Sequence, residues 1–200
     1  MRTRFVAPAL LLTLCLSAGG AHAQPGAAAA GPVPDVVLRI ARAAQALPEA
    51  AAARARGDAV QEFAHWFFEG FTHPDGGDAL QDAYLRTAWQ AGQAFWRERP
   101  GRRDEIMGGY GYARVEAEGT WTRRFEVSAF APQDRPGETW WVTSFGGVRW
   151  TALQAGQADA DFATARVRLS GYLSPPGRHG HLGQYGRTLL ATGFTVVAAP

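Results

Sequence analysis

Cysteine, lysine and asparagine are almost or entirely missing from this 200-residue sequence. Its only cysteine is Cys15, close to the N-terminus, and neither lysine nor asparagine occurs. A single cysteine excludes a framework of intramolecular disulfide bonds, so a folded domain must depend on its apolar core. Because arginine replaces lysine throughout, an isolated arginine is weaker evidence of a binding role here than in an average protein.

The first 23 residues have the three parts of an export signal. Two arginines, an apolar run over residues 5–18 and an Ala-His-Ala cleavage site follow one another. The apolar run is shorter than the roughly 20 residues that a membrane-spanning helix needs. The sequence therefore predicts a signal peptide over residues 1–23. The mature protein is expected to begin at Gln24, to be periplasmic or secreted as in bacteria, and to keep no stable membrane anchor.

Removal of the signal peptide also changes the charge of the chain. The full sequence carries 20 arginines and 18 acidic residues, for a formal charge of +2. Arg2 and Arg4 belong to the predicted signal, so the mature chain keeps 18 arginines against 18 acidic residues. A neutral chain lacks the positive excess that is typical of nucleic-acid-binding domains, and no nucleic-acid partner is predicted.

Hydrophobic periodicity divides the mature chain into a helical and a β region. Residues 24–34 hold three prolines without periodicity, which indicates a flexible tether. Over residues 35–106 apolar side chains recur every three or four positions, most clearly after Asp58 and again from Asp78 to about Arg99. The last of these helices is apolar over about half its circumference, so we expect it to contact both the preceding helix and the β region.

Beyond Met107 the apolar period changes from that of a helix to that of a strand, which defines a β region over residues 107–200. Gly119 is expected to form a turn or bulge between the first two strands. Five segments are predicted to be strands, namely residues 110–118, 120–130, 138–145, 163–173 and 188–197.

The predicted fold class is α+β, with two to three N-terminal helices packed on a small C-terminal antiparallel β-barrel. About five short strands, with a longer connection after the third, are typical of an OB-like barrel. An open antiparallel sheet and a small sandwich are the alternatives that the pattern leaves open.

Side chains suited to catalysis or metal binding are sparse. His179 and His181 lie one residue apart, but no cysteine or acidic residue is close to them in sequence, and we predict no metal site. Glu116 and Glu118 share one strand face and are expected to pair with arginines of neighbouring strands. The sequence contains no G-x-S-x-G, P-loop or H-E-x-x-H motif, and no cofactor is predicted.

Three other features are candidate ligand-binding elements. Arg123 falls in the apolar phase of its strand, which indicates either a strand bulge or an arginine that lines an opening of the barrel near the loop before the last strand. Trp140 and Trp141 are adjacent in a strand, so their side chains point to opposite faces. The loop itself, residues 174–185, borders the position of the usual ligand surface of an OB barrel. Its candidate side chains are Arg178, His179 and His181.

These features favour a binding or accessory module over an enzyme. The expected partner is an unidentified protein, peptide or glycan outside the cytoplasm. The alternative is a cell-envelope hydrolase or metal-assisted enzyme whose catalytic residues are not identified by any motif.

Overall fold

The computed structural model describes residues 32–74, 80–124, 126–145 and 163–198. The predicted signal peptide and most of the tether lie outside these ranges. The described chain contains five α-helices, α1 (Asp35–Ala44), α2 (Ala51–Arg56), α3 (Ala59–Thr72), α4 (Ala83–Glu98) and α5 (Arg103–Gly109). Five strands follow them, β1 (Ala113–Arg124), β2 (Val127–Pro132), β3 (Trp140–Ser144), β4 (Ala163–Leu173) and β5 (Thr188–Ala198). The predicted α+β class, with helices before strands, is confirmed, but the described chain has five α-helices where two to three were expected.

The five strands pair in a ring. Their order is β1, β2, β3, β5, β4, and β4 pairs in turn with β1. All neighbours are antiparallel except β3 and β5, which run parallel, with Trp141 opposite Thr188 and Ser144 opposite Ala191. The sheet is therefore mixed, and the expectation of a purely antiparallel arrangement is wrong at this one pair. Alternation along a strand shows which side chains share a face, but it does not show the direction of the neighbouring strand.

One apolar cluster is built by side chains from all five strands. Its largest members are Trp121, Phe130 and Trp140, each at most 2% exposed. On β4 the buried residues Ala165, Val167 and Leu169 alternate with exposed arginines, as predicted for a strand with one face in a core. This cluster holds the ring together from strands that are distant in sequence.

A second cluster joins the helices to the opposite face of β4 and β5. Tyr172 and Leu190, which are neighbours across these strands, are buried together with the phenylalanines of α3. Phe145, directly after β3, lies with its ring centroid 4.6 Å from that of Trp96 on α4. The expectation that this helix contacts both the preceding helix and the β region is confirmed.

Helices α3 and α4 cross at two glycines. A Cβ atom on Gly70 would overlap the carbonyl oxygen of Trp89, and one on Gly92 would overlap the carbonyl oxygen of Phe67. The backbones approach so closely because neither contact residue has a side chain. In the described part of the chain, no helix is both long and apolar enough to cross a bilayer.

Two of the helices differ from the sequence prediction. Helix α4 begins at Ala83 because the side chain of Asp82 caps it, accepting hydrogen bonds from the N–H groups of Tyr84 and Leu85 at 2.8 and 3.1 Å. Helix α5 is not predicted, since seven residues that follow Pro100 and Gly101 are too short for a periodic pattern.

Gly119 does not form the predicted turn. Strand β1 continues through it to Arg124, and Gly119 pairs with Pro132 and Val167 on its two neighbours. A Cβ atom there would overlap the carbonyl oxygen of Ala131, so the glycine permits close contact between strands. The turn lies instead between β1 and β2, where Glu126 has a positive φ of 57°.

Candidate functional site

The adjacent tryptophans of β3 lie on opposite faces of the ring. Trp140 belongs to the inner cluster, 1% exposed, and its indole Nε1 donates to Glu138 Oε2 at 2.7 Å. Trp141 lies on the outer face, partly exposed, with its ring centroid 5.3 Å from that of Tyr185. Only Trp141 is therefore placed where it can take part in a surface site.

Arg123 lies on β1 close to the β1–β2 turn. It pairs with Ser128 and Ala163, at the end of the ring where β4 begins, whereas the loop before β5 leaves the other end of β4 at Leu173. The register of β1 with β2 runs through Arg123 without a shift, so there is no bulge. No hydrogen bond or ion pair joins Arg123 to this loop in the described chain, but His181 of the loop contacts Glu126, three residues after Arg123. The half-buried side chain of Arg123 forms no ion pair with any described residue.

The segment between β4 and β5, residues 174–187, forms a hairpin of its own, which we call the β4–β5 loop. The N–H of His179 donates to the carbonyl of Tyr185 at 2.9 Å, and the reciprocal bond measures 3.1 Å. A further bond joins Gly177 N to Gly186 O at 2.9 Å. These bonds leave residues 180–184 as the tip of the hairpin.

The hairpin folds back onto the outer face of β3. A Cβ atom on Gly180 would lie 2.7 Å from atoms of both the Trp141 and Tyr185 rings, so only glycine fits between them. The backbone N–H of Trp141 donates to the carbonyl of Arg187 at 3.0 Å. The tip is therefore held against the ring by packing and by the pairing of the adjacent strands.

The base of the hairpin contains a serine–histidine contact. Ser174 Oγ lies 3.1 Å from His179 Nε2, accepts the N–H of Thr188 at 2.9 Å and donates to the carbonyl of Pro175 at 2.9 Å. Burial lowers the pKa of His179, and the charge of Arg187 lowers it further, against a hydrogen bond to Pro175 that raises it. Ser174 is only 1% exposed. Its hydroxyl is thus fully engaged and inaccessible, which is the arrangement of a structural contact and not of a nucleophile.

The tip presents an exposed aliphatic side chain. Leu182 is 71% exposed, more than any other large hydrophobic residue in the described chain. Its φ is 54°, and the glycines at positions 180 and 183 also have positive φ values. Next to it, His181 Nε2 lies 3.3 Å from Glu126 Oε2 in the β1–β2 turn, and the side chain of the exposed Arg178, including its guanidinium group, lies over Gly183.

The structure thus brings together Trp141, Arg178, His179 and His181, and places Trp140 on the opposite face of the sheet. Within the described ranges, no three histidine, cysteine or acidic side chains are grouped so that they could hold a metal ion. Sequence reasoning did not single out Leu182, Tyr185 or Glu126. The spacing of Gly180 and Gly183 is a signal for the tip, whereas Glu126 is not recognisable without the position of the β1–β2 turn.

Comparison of the chain with protein-family models, with curated proteins and with solved structures found no match.

Proposed function

We propose that this chain is an exported binding module whose protein partner docks on the tip of the β4–β5 loop. The observation that carries the proposal is the exposure of Leu182 on a backbone that disfavours leucine. A left-handed conformation costs a residue with a Cβ atom roughly 1–2 kcal/mol. Burial of the side chain does not offset this strain, since Leu182 is 71% exposed. Such strain is typical of sites shaped by function.

The tip is held in place by contacts within the chain. Gly180 is enclosed by the rings of Trp141 and Tyr185, and His181 contacts Glu126 across the surface. A loop fixed in this way loses little conformational entropy on binding, and this favours affinity. The tip therefore presents the apolar side chain of Leu182 and the positive charge of the nearby Arg178 in a defined arrangement.

The chemistry of the tip favours a protein over a glycan. Sugars stack on exposed aromatic faces, but the rings of Trp141 and Tyr185 pack on each other and on Gly180. An aliphatic knob fits an apolar pocket on a protein, and Arg178 fits an acidic group beside that pocket. The hydrolase alternative has less support, because Ser174, the serine in contact with a histidine here, is buried.

The position of the loop supports an OB-type interpretation of the ring. In OB domains the ligand surface lies on strands 2 and 3, between the loops that join strands 1 to 2 and 4 to 5. Here the contact between His181 and Glu126 joins those two loops beside β3. We propose that the partner covers this junction.

Replacement of Leu182 by glycine tests the proposal. Glycine tolerates the positive φ, so Leu182→Gly should keep or slightly raise the melting temperature and yet lose the partner. The measurement is recovery of envelope proteins on the immobilised mature chain, with quantification of each protein by mass spectrometry.

The matched control is Val197→Gly, which removes a 43% exposed side chain near the other end of β5. A protein that is retained by the wild type and by Val197→Gly but lost with Leu182→Gly supports the proposal. Identical sets of retained proteins for wild type and Leu182→Gly would contradict it.

A further inference from the structure

A cleft of about 380 Å³ lies between the helices and the ring, away from the β4–β5 loop. This volume is within the range of small-molecule sites in proteins, about 300–1,000 Å³. Three aromatic residues and three charged residues contribute to its wall, namely Trp96, Phe145, Tyr172, Arg103, Asp104 and Arg114. The cleft therefore combines apolar surface with a small number of charges.

Arg103 is fixed in this cleft without a counter-charge. Its guanidinium carbon lies 3.3 Å from the ring centroid of Trp96, and its Nη2 donates to the carbonyl oxygen of that residue at 3.0 Å. Its Nε is buried and meets no hydrogen-bond acceptor. No carboxylate in the described ranges lies within 4.0 Å of this guanidinium. A guanidinium has five N–H donors in a planar fork, and an unsatisfied buried donor is costly.

The other two charges of the cleft offset each other. Arg114 Nη1 lies 3.0 Å from Asp104 Oδ1, and the hydroxyl of Tyr172 also donates to this carboxylate. The hydrogen bond from Tyr172, helped by Arg114, lowers the pKa of Asp104, so the carboxylate is ionised at neutral pH. The charge that remains without a partner is that of Arg103.

We propose that this cleft binds an organic carboxylate, with Arg103 pairing to the carboxylate and the partly exposed Trp96 contacting an apolar body, since Phe145 and Tyr172 are almost fully buried in the wall. Arginine and a carboxylate form charge-assisted, often bidentate hydrogen bonds, and the stacked position of Arg103 on Trp96 holds its fork in place. The free acid of a small molecule and the C-terminus of a peptide offer the same chemistry.

The experiment is a titration of the mature chain followed by two-dimensional NMR, including the indole and arginine Nε signals. The probes are phenylacetate, phenylacetamide, the peptide Gly-Gly-Phe, its C-terminal amide and inorganic phosphate. At least one of the two acids should produce saturable shifts at Trp96 and Arg103, with affinity about tenfold or more above its amide. Preference for phenylacetate indicates a free small acid, whereas preference for Gly-Gly-Phe indicates a peptide C-terminus.

Variants assign the effect to Arg103. Arg103→Gln should weaken acid binding by about tenfold or more, and Arg103→Lys, which keeps the charge without the fork, should be intermediate. The control Arg99→Gln removes an exposed arginine between α4 and α5 and should keep the wild-type affinity. If Arg103→Gln does not fold, Arg103→Lys decides, and wild-type affinity in it overturns the proposal. Equal binding of acid and amide, stronger binding of phosphate than of either acid, or no saturable shift also overturns it.

Discussion

Burial shifts the pKa of two individual side chains near the C-terminal end of β4. At its C-terminal end, burial in the base of the β4–β5 loop lowers the pKa of His179. At the cleft, burial and the hydrogen bond to Asp104 raise the pKa of Tyr172 to about 12. The histidine matters for stability near neutral pH because its ordinary pKa is 6.5.

We expect His179 to make the fold less stable as the pH falls. The folded chain holds the neutral imidazole, whereas the unfolded chain binds a proton as the pH falls through about 6.5, so acid favours the unfolded chain until the lower folded pKa is reached. The free energy of unfolding should therefore fall less between about pH 7.5 and pH 5 in His179→Gln than in the wild type. Urea unfolding at both pH values measures it.

The control for this titration is His65→Gln, since His65 is exposed on α3. It should keep the pH dependence of the wild type. The same pH dependence in His179→Gln as in the wild type would show that burial of His179 has no energetic consequence.

At the scale of residues, the sequence predicts which face of a strand a side chain occupies better than it predicts which other residues lie beside that side chain. Alternation placed Trp140 and Trp141 on opposite sides, because a strand has a period of two whatever it pairs with. Alternation does not show whether Arg123 lies beside the β4–β5 loop, because that depends on strand pairing and on the path of the loop.

At the scale of elements, the crossing of α3 and α4 depends on two positions without side chains. Gly70 and Gly92 each face the backbone of the opposite helix, and the carbonyls of Trp89 and Phe67 occupy the space of the missing Cβ atoms. Rigid backbone, unlike the end of a flexible side chain, does not yield to an added methyl group.

We expect Gly92→Ala to destabilise the fold although alanine favours helix. The gain in helix propensity is roughly 1 kcal/mol, and the overlap with Phe67 should outweigh it, for a net loss of about 1–3 kcal/mol. Urea unfolding measures the difference.

Gly108→Ala in α5 is the matched control, since a Cβ atom there meets nothing within 4 Å. It should be neutral or slightly stabilising. An unchanged stability of Gly92→Ala would show that the two helices separate at little cost.

The sequence predicts best those helices and strands that are long and have a periodic pattern of apolar residues. Helices α3 and α4 and strand β4 bury one face each, so their patterns are visible. Helix α5 is too short for a period. Gly119 was misplaced as a turn because a glycine in a strand has the same sequence signal whether the chain reverses there or another backbone approaches.

At the scale of the whole molecule, two apolar clusters share the wall formed by β4 and β5. Leu169 and Leu189 face the inner cluster, while Tyr172 and Leu190 face the helices. The described chain has no cysteine, so no disulfide bond within it joins the helices to the ring. Packing on the shared wall joins them instead. Packing of helices on strands was predictable from the apolar circumference of α4. The parallel pair and the folded-back loop were not, since both depend on contacts between distant segments.

Export remains a prediction from the first 23 residues. If it is correct, the protein isolated from the periplasm or medium of its host should have the intact mass of a chain that begins at Gln24. A version without residues 2–23 is the control and should stay in the cytoplasm. Recovery of the full-length precursor from the cytoplasm alone would contradict the prediction.

The position of β5 determines the order in which the ring can be completed. It is the last strand of the described chain, yet it lies between β3 and β4. In a chain that emerges with its N-terminus first, β3 and β4 each have one unpaired edge until β5 is available. An unpaired strand edge can pair wrongly with another chain. The hairpin that carries Leu182 is seated on Trp141 only when Arg187 and Thr188 reach β3. The seating of the proposed docking tip on β3 therefore depends on the pairing of β5 with β3.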